Sequence, residues 1–340
     1  MNTISPEISS VSVRGASPSE ITDRFDLREE MAQVDDYMRN LVTSPVLIIS
    51  EPARHVIEAG GKRLRALLVL LAAKLNHYDP PKAMAVASAV ELIHAASLVH
   101  DDLIDQSPRR RGLATIHSKW FRDAALVGGD YLFALAALAT TRSGDIRVVE
   151  CMSRAAVKIC EGEISLVQHV IPLRQSLDDY FFKIAGKTAV LFEESLKAAG
   201  VISGATAAET EALGRYGLNL GMAFQITDDV LDYVGDPSVL GKPAGGDLRR
   251  RQITLPLIYA AANGMAPAMR ATIDRIDDGA TPAEVEELLA WVQRSVGIEQ
   301  SQQEARRFCQ QASDALQMFP PSAIRDALED IAWFVLEREK

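Results

Sequence analysis

Cysteine, aromatic residues and positive charge are all scarce in this chain of 340 residues. Its three cysteines, Cys151, Cys160 and Cys309, form no CxxC pair and leave an odd count, so we expect reduced thiols in a reducing compartment. Aromatic residues make up 6% of the chain, which indicates an aliphatic core. The formal net charge of −10 argues against general nucleic-acid binding, because no excess of cations is available to meet phosphates. An anionic ligand would need a few well-placed cations.

Long apolar runs are also missing. The longest, such as Ala66–Ala73 and Tyr131–Ala139, fall far short of the roughly 20 residues that span a bilayer. The opening residues lack the basic region and apolar run of a signal peptide. They are typical of a disordered tail, which we place at residues 1–25, before one domain at residues 26–340. We therefore expect a cytoplasmic protein.

Helical periodicity dominates what remains. One apolar stripe has spacings of 4, 3, 4 and 3 and consists of Leu27, Met31, Val34, Met38 and Leu41. Residues 281–292 begin with a helix cap, with Thr281 at the N-cap and Glu284 at the third helical position. No sustained apolar–polar alternation of strand type occurs. The sequence therefore predicts an all-α fold, and the absence of a Ser/Gly linker favours one large bundle.

Two acidic motifs stand out in helical stretches. DDLID places Asp101 and Asp105 at i and i+4 on one helix face, with Asp102 about 100° away. The same arrangement recurs 127 residues later in TDDVLD, at Asp228, Asp229 and Asp232. Carboxylate oxygens suit Mg²⁺, which prefers to share its coordination with substrate phosphates. The repeat favours an inward-facing metal site over two unrelated acidic surfaces.

Separate basic segments supply the opposite charge. GGKRLR places Lys62 and Arg65 at i and i+3 near a helix start, where backbone amides and the helix dipole favour an anion. The remaining candidates are Arg109–Arg111, Lys187 and Lys242, the last of them close to Asp247. Each segment alone is typical of a solvated basic face. Together they provide two sets of cations, enough for two phosphorylated substrates.

These motifs resemble the trans-polyprenyl diphosphate synthase family (the polyprenyl synthetases) over about residues 26–340. GGKRLR, LIHAASLVHDDLID, RRG, GDYLFA, EGE, KTA, FQITDDVLD, GKPAGGDL and TLPLIYA occur in the family's order. The resemblance implies an antiparallel helical bundle around a central cavity (the isoprenoid synthase fold), usually a homodimer. It also implies head-to-tail condensation of isopentenyl diphosphate with an allylic diphosphate. The aspartates would hold the allylic diphosphate through Mg²⁺ ions, with three ions expected.

Roles for single residues also follow from the resemblance. The residues that would bind isopentenyl diphosphate are Lys62, Arg65, His94 and Arg111. Those that would bind the allylic diphosphate are Arg110, Lys187, Thr188, Gln225 and Lys242. The metal set is Asp101, Asp102, Asp105 and Asp228, with Asp102 and Asp232 less direct. Asp101, Asp105, Asp228 and Lys187 would be catalytic.

The bound metal and diphosphate would separate the acids of DDLID from the arginines that follow, so we expect no direct pairing between them. Arg109 occupies a variable position of the family and is expected on the surface. Arg110 would face the allylic diphosphate and Arg111 the isopentenyl diphosphate.

The sequence departs from the family pattern in three motifs. Arg251 and Gln252 replace a glycine and a lysine before TLP. Leu166 replaces a glutamine, with Gln168 two residues further on, and Ala114 replaces a proline. None removes a predicted metal ligand. We expect activity to be retained, with the affinity for the allylic substrate most affected.

The small residues Ala96 and Ser97, one turn before Asp101, bear on product length. Short-chain members of the family often carry aromatic residues there or an insertion in the first motif. A medium- or long-chain product is therefore expected, on the order of a quinone side-chain precursor. The alternative is a geranylgeranyl or farnesyl diphosphate synthase, with the tunnel closed deeper down by Leu92, Ile93 or Phe133.

Four other readings leave features unexplained. A terpene cyclase or head-to-head synthase typically lacks GGKRLR and the second DDxxD. An HD-type phosphohydrolase, suggested by His100 and Asp101, needs further ligands and leaves the repeated motif unexplained. A ferritin-like bundle, suggested by Glu91 and His94, needs two ExxH motifs, and one is found. A regulatory subunit of a heteromeric synthase could dispense with the aspartates, which are all present.

Overall fold

The computed structural model describes residues 15–168, 176–235, 244–250, 252–276 and 279–337, apart from the side chains of residues 165–168. Helices form nearly all of the regular structure in this part of the chain, which confirms the all-α prediction. The prediction of a single domain over residues 26–340 stays a prediction.

The helices are numbered here in chain order. The first seven are α1 (Pro18–Arg24), α2 (Arg28–Leu41), α3 (Leu47–Glu58), α4 (Leu64–Ala73), α5 (Pro80–Ile104), α6 (Ile116–Lys119) and α7 (Arg122–Thr141). The next four are α8 (Ile146–Gln168), α9 (Leu177–Ile184), α10 (Val190–Ile202) and α11 (Ala207–Val234). The last six are α12 (Gly246–Arg249), α13 (Leu255–Ala262), α14 (Pro267–Asp274), α15 (Pro282–Arg294), α16 (Gly297–Leu316) and α17 (Ala323–Phe334). A π-helical segment, Ala185–Ala189, joins α9 to α10, and a 3₁₀ turn, Val335–Glu337, follows α17.

Local sequence signals explain several helix starts. The predicted cap at Thr281 is present, since its hydroxyl accepts the Glu284 amide and the Glu284 carboxylate accepts the Thr281 amide. The predicted stripe of α2 also faces inward, with Val34 and Met38 fully buried. Hydrophobic periodicity and capping therefore placed these helices correctly.

The tail boundary predicted at residue 25 was wrong. Residues 18–24 form α1, which begins with a Ser17–Glu20 capping box. Ile21 is fully buried, and Arg24 pairs with Asp330 of α17 at 2.9 Å. One buried apolar residue and one long-range ion pair fix this segment, and neither is visible as a periodic pattern in so short a helix.

The 25-residue helix α5 lies at the centre of the bundle and packs on α2, α4, α7 and α10. Two helices, α5 and α7, are long and apolar enough to cross a membrane by length and composition alone. The most apolar window of α5 is 78% buried and that of α7 is 50% buried. Burial of this extent is usual for core helices, so the two helices are weak evidence for membrane insertion.

Glycines let α11 approach its neighbours closely. A Cβ atom on Gly217 would lie 2.5 Å from the Phe192 carbonyl oxygen of α10. A Cβ atom on Gly221 would lie 2.5 Å from the Ala189 Cα atom at the end of the π segment. Backbone contact at these points fixes α11 against α10, and it brings Gln225, three residues before the second acidic motif, to Thr188.

A small hairpin interrupts the helices after α5. Strand β1 (Arg109–Arg110) pairs antiparallel with β2 (Leu113–Ala114). The two turn residues, Arg111 and Gly112, have φ values of 50° and 80°. Positive φ at both central positions is typical of a type I′ turn, whose twist matches paired strands. The RRG motif thus places Arg111 at the tip of a tight turn.

We expect Gly217→Ala to lower the free energy of unfolding by about 2 kcal/mol, because the added methyl group meets α10 backbone that cannot rotate away. Gly128→Ala in α7 is the matched control, since its Cβ would meet only Ile116 Cδ1 at 3.7 Å. Urea denaturation of both variants measures the difference. Equal stabilities would contradict the close-packing explanation.

Candidate active site

A cavity of about 650 Å³ lies against one face of α5. Its wall includes the four residues predicted to bind isopentenyl diphosphate, which are Lys62, Arg65, His94 and Arg111. Arg110 and Asp102 line the same cavity. Residues from the α3–α4 loop, α5 and the hairpin thus meet in one basic enclosure, suited to a diphosphate anion.

Arg63 holds the loop that carries Lys62. Its backbone is left-handed, with φ of 47°, and its side chain is 11% exposed. The guanidinium donates to Asp35 Oδ1 at 2.9 Å and to the Ile57 carbonyl at 2.9 Å. It also lies 3.5 Å from Glu91, whose other carboxylate oxygen accepts the Ala66 amide. Since these contacts join α2, α3 and α5 to the start of α4, they fix the position of the whole GGKRLR segment.

His94 is held in its neutral form. Burial lowers its pKa well below the usual range, and the nearby charges of Arg65, Arg111, Arg110 and Arg63 lower it further. A neutral imidazole adds no further positive charge to the enclosure. It can offer one N–H donor to an anion and one acceptor to a neighbour.

The three arginines of the hairpin point to different partners, because neighbouring strand residues face opposite sides. Arg109 donates to the carbonyl of Gly112 and is exposed. Arg110 donates from Nε to Asp102 Oδ2 at 2.8 Å. Arg111 donates to the carbonyl of Gly60 in the GGKRLR loop. The expectation that the DDLID acids do not pair with these arginines was therefore wrong for Asp102 and Arg110.

Asp101 and Asp102 point about 100° apart around the axis of α5, so they lie in different environments. Asp102 faces the cavity, whereas Asp101 lies 3.4 Å from the ammonium group of Lys187. Burial raises the pKa of Asp101 to about 6, and Lys187 opposes this rise. Asp105 is exposed at the C-terminal end of α5. Asp102 accepts from Arg110, and its place in the metal set stays a prediction.

The π segment carries two of the predicted allylic residues, Lys187 and Thr188, and contacts a third, Gln225. Thr188 donates to Gln225 Oε1 at 2.7 Å. Gln225 in turn donates to Asp229 Oδ1 at 2.8 Å, and the buried Tyr180 hydroxyl donates to Asp229 Oδ2 at 2.6 Å. This chain of hydrogen bonds links the π segment to the second acidic motif. Short π segments inside helices are frequent at functional sites.

Within the second motif, Asp228 is half-buried, whereas Asp229 and Asp232 are buried. Burial raises the pKa of Asp229, and the charge of Asp247 adds to the rise. Asp232 accepts the backbone amide of Asp247 at 2.8 Å, so it anchors the GGDL segment. This agrees with a less direct role for Asp232.

Lys183 is a further cation at this site that the motifs did not reveal. It lies one turn before Lys187, and burial lowers its pKa, which Asp229 opposes and Lys187 reinforces. Its spacing of four residues from Lys187 was a usable signal, since i and i+4 share a helix face.

The carboxylate oxygens of the two acidic motifs are suitable ligands for Mg²⁺. Among the described residues no group of three or more His, Cys, Asp or Glu side chains is gathered as a ready metal site. Mg²⁺ is usually held by one or two carboxylates, with water and substrate phosphate completing its coordination. Asp101 and Asp105 on one side and Asp228 on the other fit that pattern. The raised pKa of the buried Asp101 indicates a carboxylate that would gain from a nearby cation.

The departures from the family pattern are only partly visible. Lys242 and Arg251 lie outside the described residues, as do the side chains of Leu166 and Gln168. The amide of Gln252 donates to the Asp247 carbonyl at 2.8 Å. The neighbouring arginines are engaged, Arg249 with Glu286 and Arg250 with Asp247. At the third departure, the Ala114 carbonyl contacts His55 Nε2 at 2.9 Å.

The structure argues against two alternative interpretations, the HD-type phosphohydrolase and the ferritin-like bundle. His100, proposed for an HD-type site, has its Nε2 atom 3.1 Å from the Leu126 carbonyl. Glu91, proposed for a ferritin-like site, is occupied by Arg63 and the Ala66 amide. Each of these interpretations needs the side chain as a metal ligand, whereas here the side chain contacts other protein groups.

The sequence matches the model of the polyprenyl synthetase family over residues 46–292. The chain belongs to this family. The chain is similar to component 2 of heptaprenyl diphosphate synthase from Geobacillus stearothermophilus, with 36% identity over 92% of this chain and 97% of that protein. Because such relatives are prenyl diphosphate synthases, this polyprenyl synthetase is a transferase.

Solved structures of polyprenyl synthetases share the fold. A polyprenyl synthase from Caulobacter crescentus, complexed with calcium and isoprenyl diphosphate, has a TM-score of 0.90 and 35% identity, covering 96% of this chain and 99% of that one. A decaprenyl diphosphate synthase from Rhodobacter capsulatus has a TM-score of 0.88 and 36% identity, covering 95% and 100%. The helical bundle is therefore the isoprenoid synthase fold.

We expect Arg111→Gln to raise the KM for isopentenyl diphosphate by about ten-fold, because a charged donor is removed from the cavity wall. The KM for the allylic substrate should change little. Arg109→Gln is the matched control from the same hairpin and should leave both constants unchanged. Steady-state kinetics with each substrate varied in turn measures this, and an equal rise in both constants would argue against the assignment.

Proposed function

We propose that the chain is a Mg²⁺-dependent prenyltransferase that elongates an allylic diphosphate by head-to-tail (1′–4) condensation with isopentenyl diphosphate. The product is a medium- or long-chain all-trans polyprenyl diphosphate. The observation that carries the proposal is the division of α5 into two faces. His94 and Asp102 face the basic cavity, whereas Asp101 lies beside Lys187. Two adjoining anion sites, formed by side chains about 100° apart on one helix, suit two phosphorylated substrates whose reacting carbons must meet.

The basic cavity takes isopentenyl diphosphate. Lys62, Arg65 and Arg111 supply the positive charge, and guanidinium groups suit diphosphate oxygens through paired N–H donors. Arg65 is pre-oriented, since its guanidinium carbon lies 4.3 Å from the centre of the Phe192 ring. Neutral His94 contributes a hydrogen bond.

The allylic diphosphate lies at the adjoining face of α5, beside Asp101 and Lys187. Lys187 and Thr188 from the π segment and Gln225 from α11 are its nearest described candidates, and Lys242 is the fourth. Arg110 is assigned here from the family resemblance, although its Nε atom is committed to Asp102. Asp101, Asp105 and Asp228 would hold the metal, and we propose three ions. When bound, Mg²⁺ supplies charge neutralisation to the leaving diphosphate.

The reaction places positive charge on C1 of the allylic substrate as its diphosphate departs. Lys187 faces the place where negative charge then develops, and a fixed cation there costs no reorganisation. The double bond of isopentenyl diphosphate attacks C1, and a proton is lost to the departing diphosphate. Packing of α5 within the core shields the reacting carbon from water, which would otherwise capture the cation.

Chain length depends on the room beside Asp101. Ala96 is fully buried and Ser97 half-buried, and both lie off the wall of the basic cavity. Small side chains there support a long product, as do relatives that make heptaprenyl and decaprenyl diphosphates. A geranylgeranyl or farnesyl product is the alternative, since Leu92 and Ile93 are bulky and also buried.

A homodimer in the cytoplasm is the proposed working form. α7 and α8 expose large apolar side chains, namely Leu126, Val127, Leu138, Ile146, Val157 and Ile164. We propose that they form one contiguous patch, which is typical of an interface. A second copy of the chain would cover them.

Purified protein should release diphosphate only when Mg²⁺, isopentenyl diphosphate and an allylic primer are all present. Its product should exceed about twenty carbons, and sedimentation velocity should give about twice the chain mass of 37.0 kDa. Diphosphate release and chromatography of the dephosphorylated products measure the reaction. Absence of release would reject the reaction, whereas arrest at fifteen or twenty carbons would reject only the long-chain assignment.

Ala96→Phe should shorten the product, because a large ring one turn before Asp101 would block the growing chain. Ala96→Leu should shorten it less, in proportion to side-chain volume. Product length is measured as above, after thermal melts show that both variants are folded. Unchanged length in the two variants would place the floor of the tunnel elsewhere.

A further inference from the structure

The ammonium group of Lys187 lies between two carboxylates. Glu163 Oε2 is 2.6 Å away and Asp101 Oδ1 is 3.4 Å away. All three side chains are largely withdrawn from water, since Lys187 is 27% exposed and the two acids are each 18% exposed. Glu163 belongs to the EGE motif, for which the reaction as described has no role.

Backbone packing around Gly162 fixes the position of the neighbouring Glu163. A Cβ atom on Gly162 would lie 2.6 Å from the Lys187 amide nitrogen and 2.8 Å from the Gly186 carbonyl carbon. A Cβ atom on Gly186 would lie 3.0 Å from the Lys158 carbonyl oxygen. Helix α8 and the π segment are therefore in direct backbone contact. The side chain that follows Gly162 is thereby placed beside the side chain that follows Gly186.

Asp101 and Glu163, the two partners of Lys187, differ in their other proposed contacts. Asp101 is a proposed metal ligand, so its carboxylate is committed elsewhere when substrate is bound. Glu163 stands on a different helix and is the closer of the two. A lysine has a flexible four-carbon stem and a single charged group, so its direction depends on the anions that surround it.

We propose that Glu163 is a positioning residue that directs the Lys187 ammonium group toward the allylic diphosphate and keeps it there when Asp101 is engaged with metal. This inference rests on the proposed function. The Glu163 carboxylate, 2.6 Å from the ammonium group and held by the backbone contact between α8 and the π segment, partly offsets the cost of burying that charge.

The test compares Glu163→Gln with Glu161→Gln. Glu161 lies on the same helix and also pairs with a lysine at 2.6 Å, Lys158, but that pair is about half exposed. Glu163→Gln should raise the KM for the allylic substrate by about ten-fold and leave the KM for isopentenyl diphosphate unchanged, because a charge-assisted contact to Lys187 is lost. Glu163→Asp should recover part of the loss, and Glu161→Gln should behave as wild type.

Calorimetric titration with inorganic diphosphate in Mg²⁺ provides a second measurement that does not require turnover. Glu163→Gln should bind diphosphate about ten-fold more weakly than Glu161→Gln. Thermal melts show whether each variant is folded, and Glu163→Asp replaces Glu163→Gln if the latter is not. Equal binding by the two glutamine variants, or an equal rise in both KM values, would overturn the inference. If wild-type protein released no diphosphate, the proposed function would fail, and the titration would still decide the role of Glu163.

Discussion

Repulsion between closely spaced cations is the constraint on which the basic cavity depends. Burial and the charges of Arg110 and Arg63 lower the pKa of Arg111, and Glu91 opposes this shift. The arrangement persists because acids are interleaved with the bases, Glu91 with Arg63 and Asp102 with Arg110. The acids neutralise the arginines that build the wall. A bound anion would offset the charge that remains.

On the face of α5 that carries Asp101, the balance of charge is reversed and negative side chains prevail. Among the described residues on that face, carboxylates outnumber cations, and burial raises the pKa of Asp101 and Asp229. One helix can carry both environments because consecutive residues point about 100° apart. The two environments therefore adjoin one another along α5, and close glycine contacts hold α8 and α11 against the π segment that carries Lys187.

The helices and the acidic motifs could be predicted from the sequence, because they depend on the spacing of residues that are close together in the chain. The i and i+4 aspartates, the helix caps and the apolar stripe of α2 all depend on neighbours within two turns. The pair of Asp102 with Arg110 was missed because it depends on a hairpin turn with two positive φ values. Arg63 and Glu163 were missed for a related reason, since their partners lie on other helices.

The first and last described helices meet beside the basic cavity. Pro18 of α1 and Phe334 of α17 both line it, and the Arg24–Asp330 pair ties the two helices together. A deletion that removed α1 or α17 would therefore take away part of the cavity wall. A chain shortened to its central helices is not equivalent to one that keeps both. Kinetic constants are best measured on chains that retain α1 and α17.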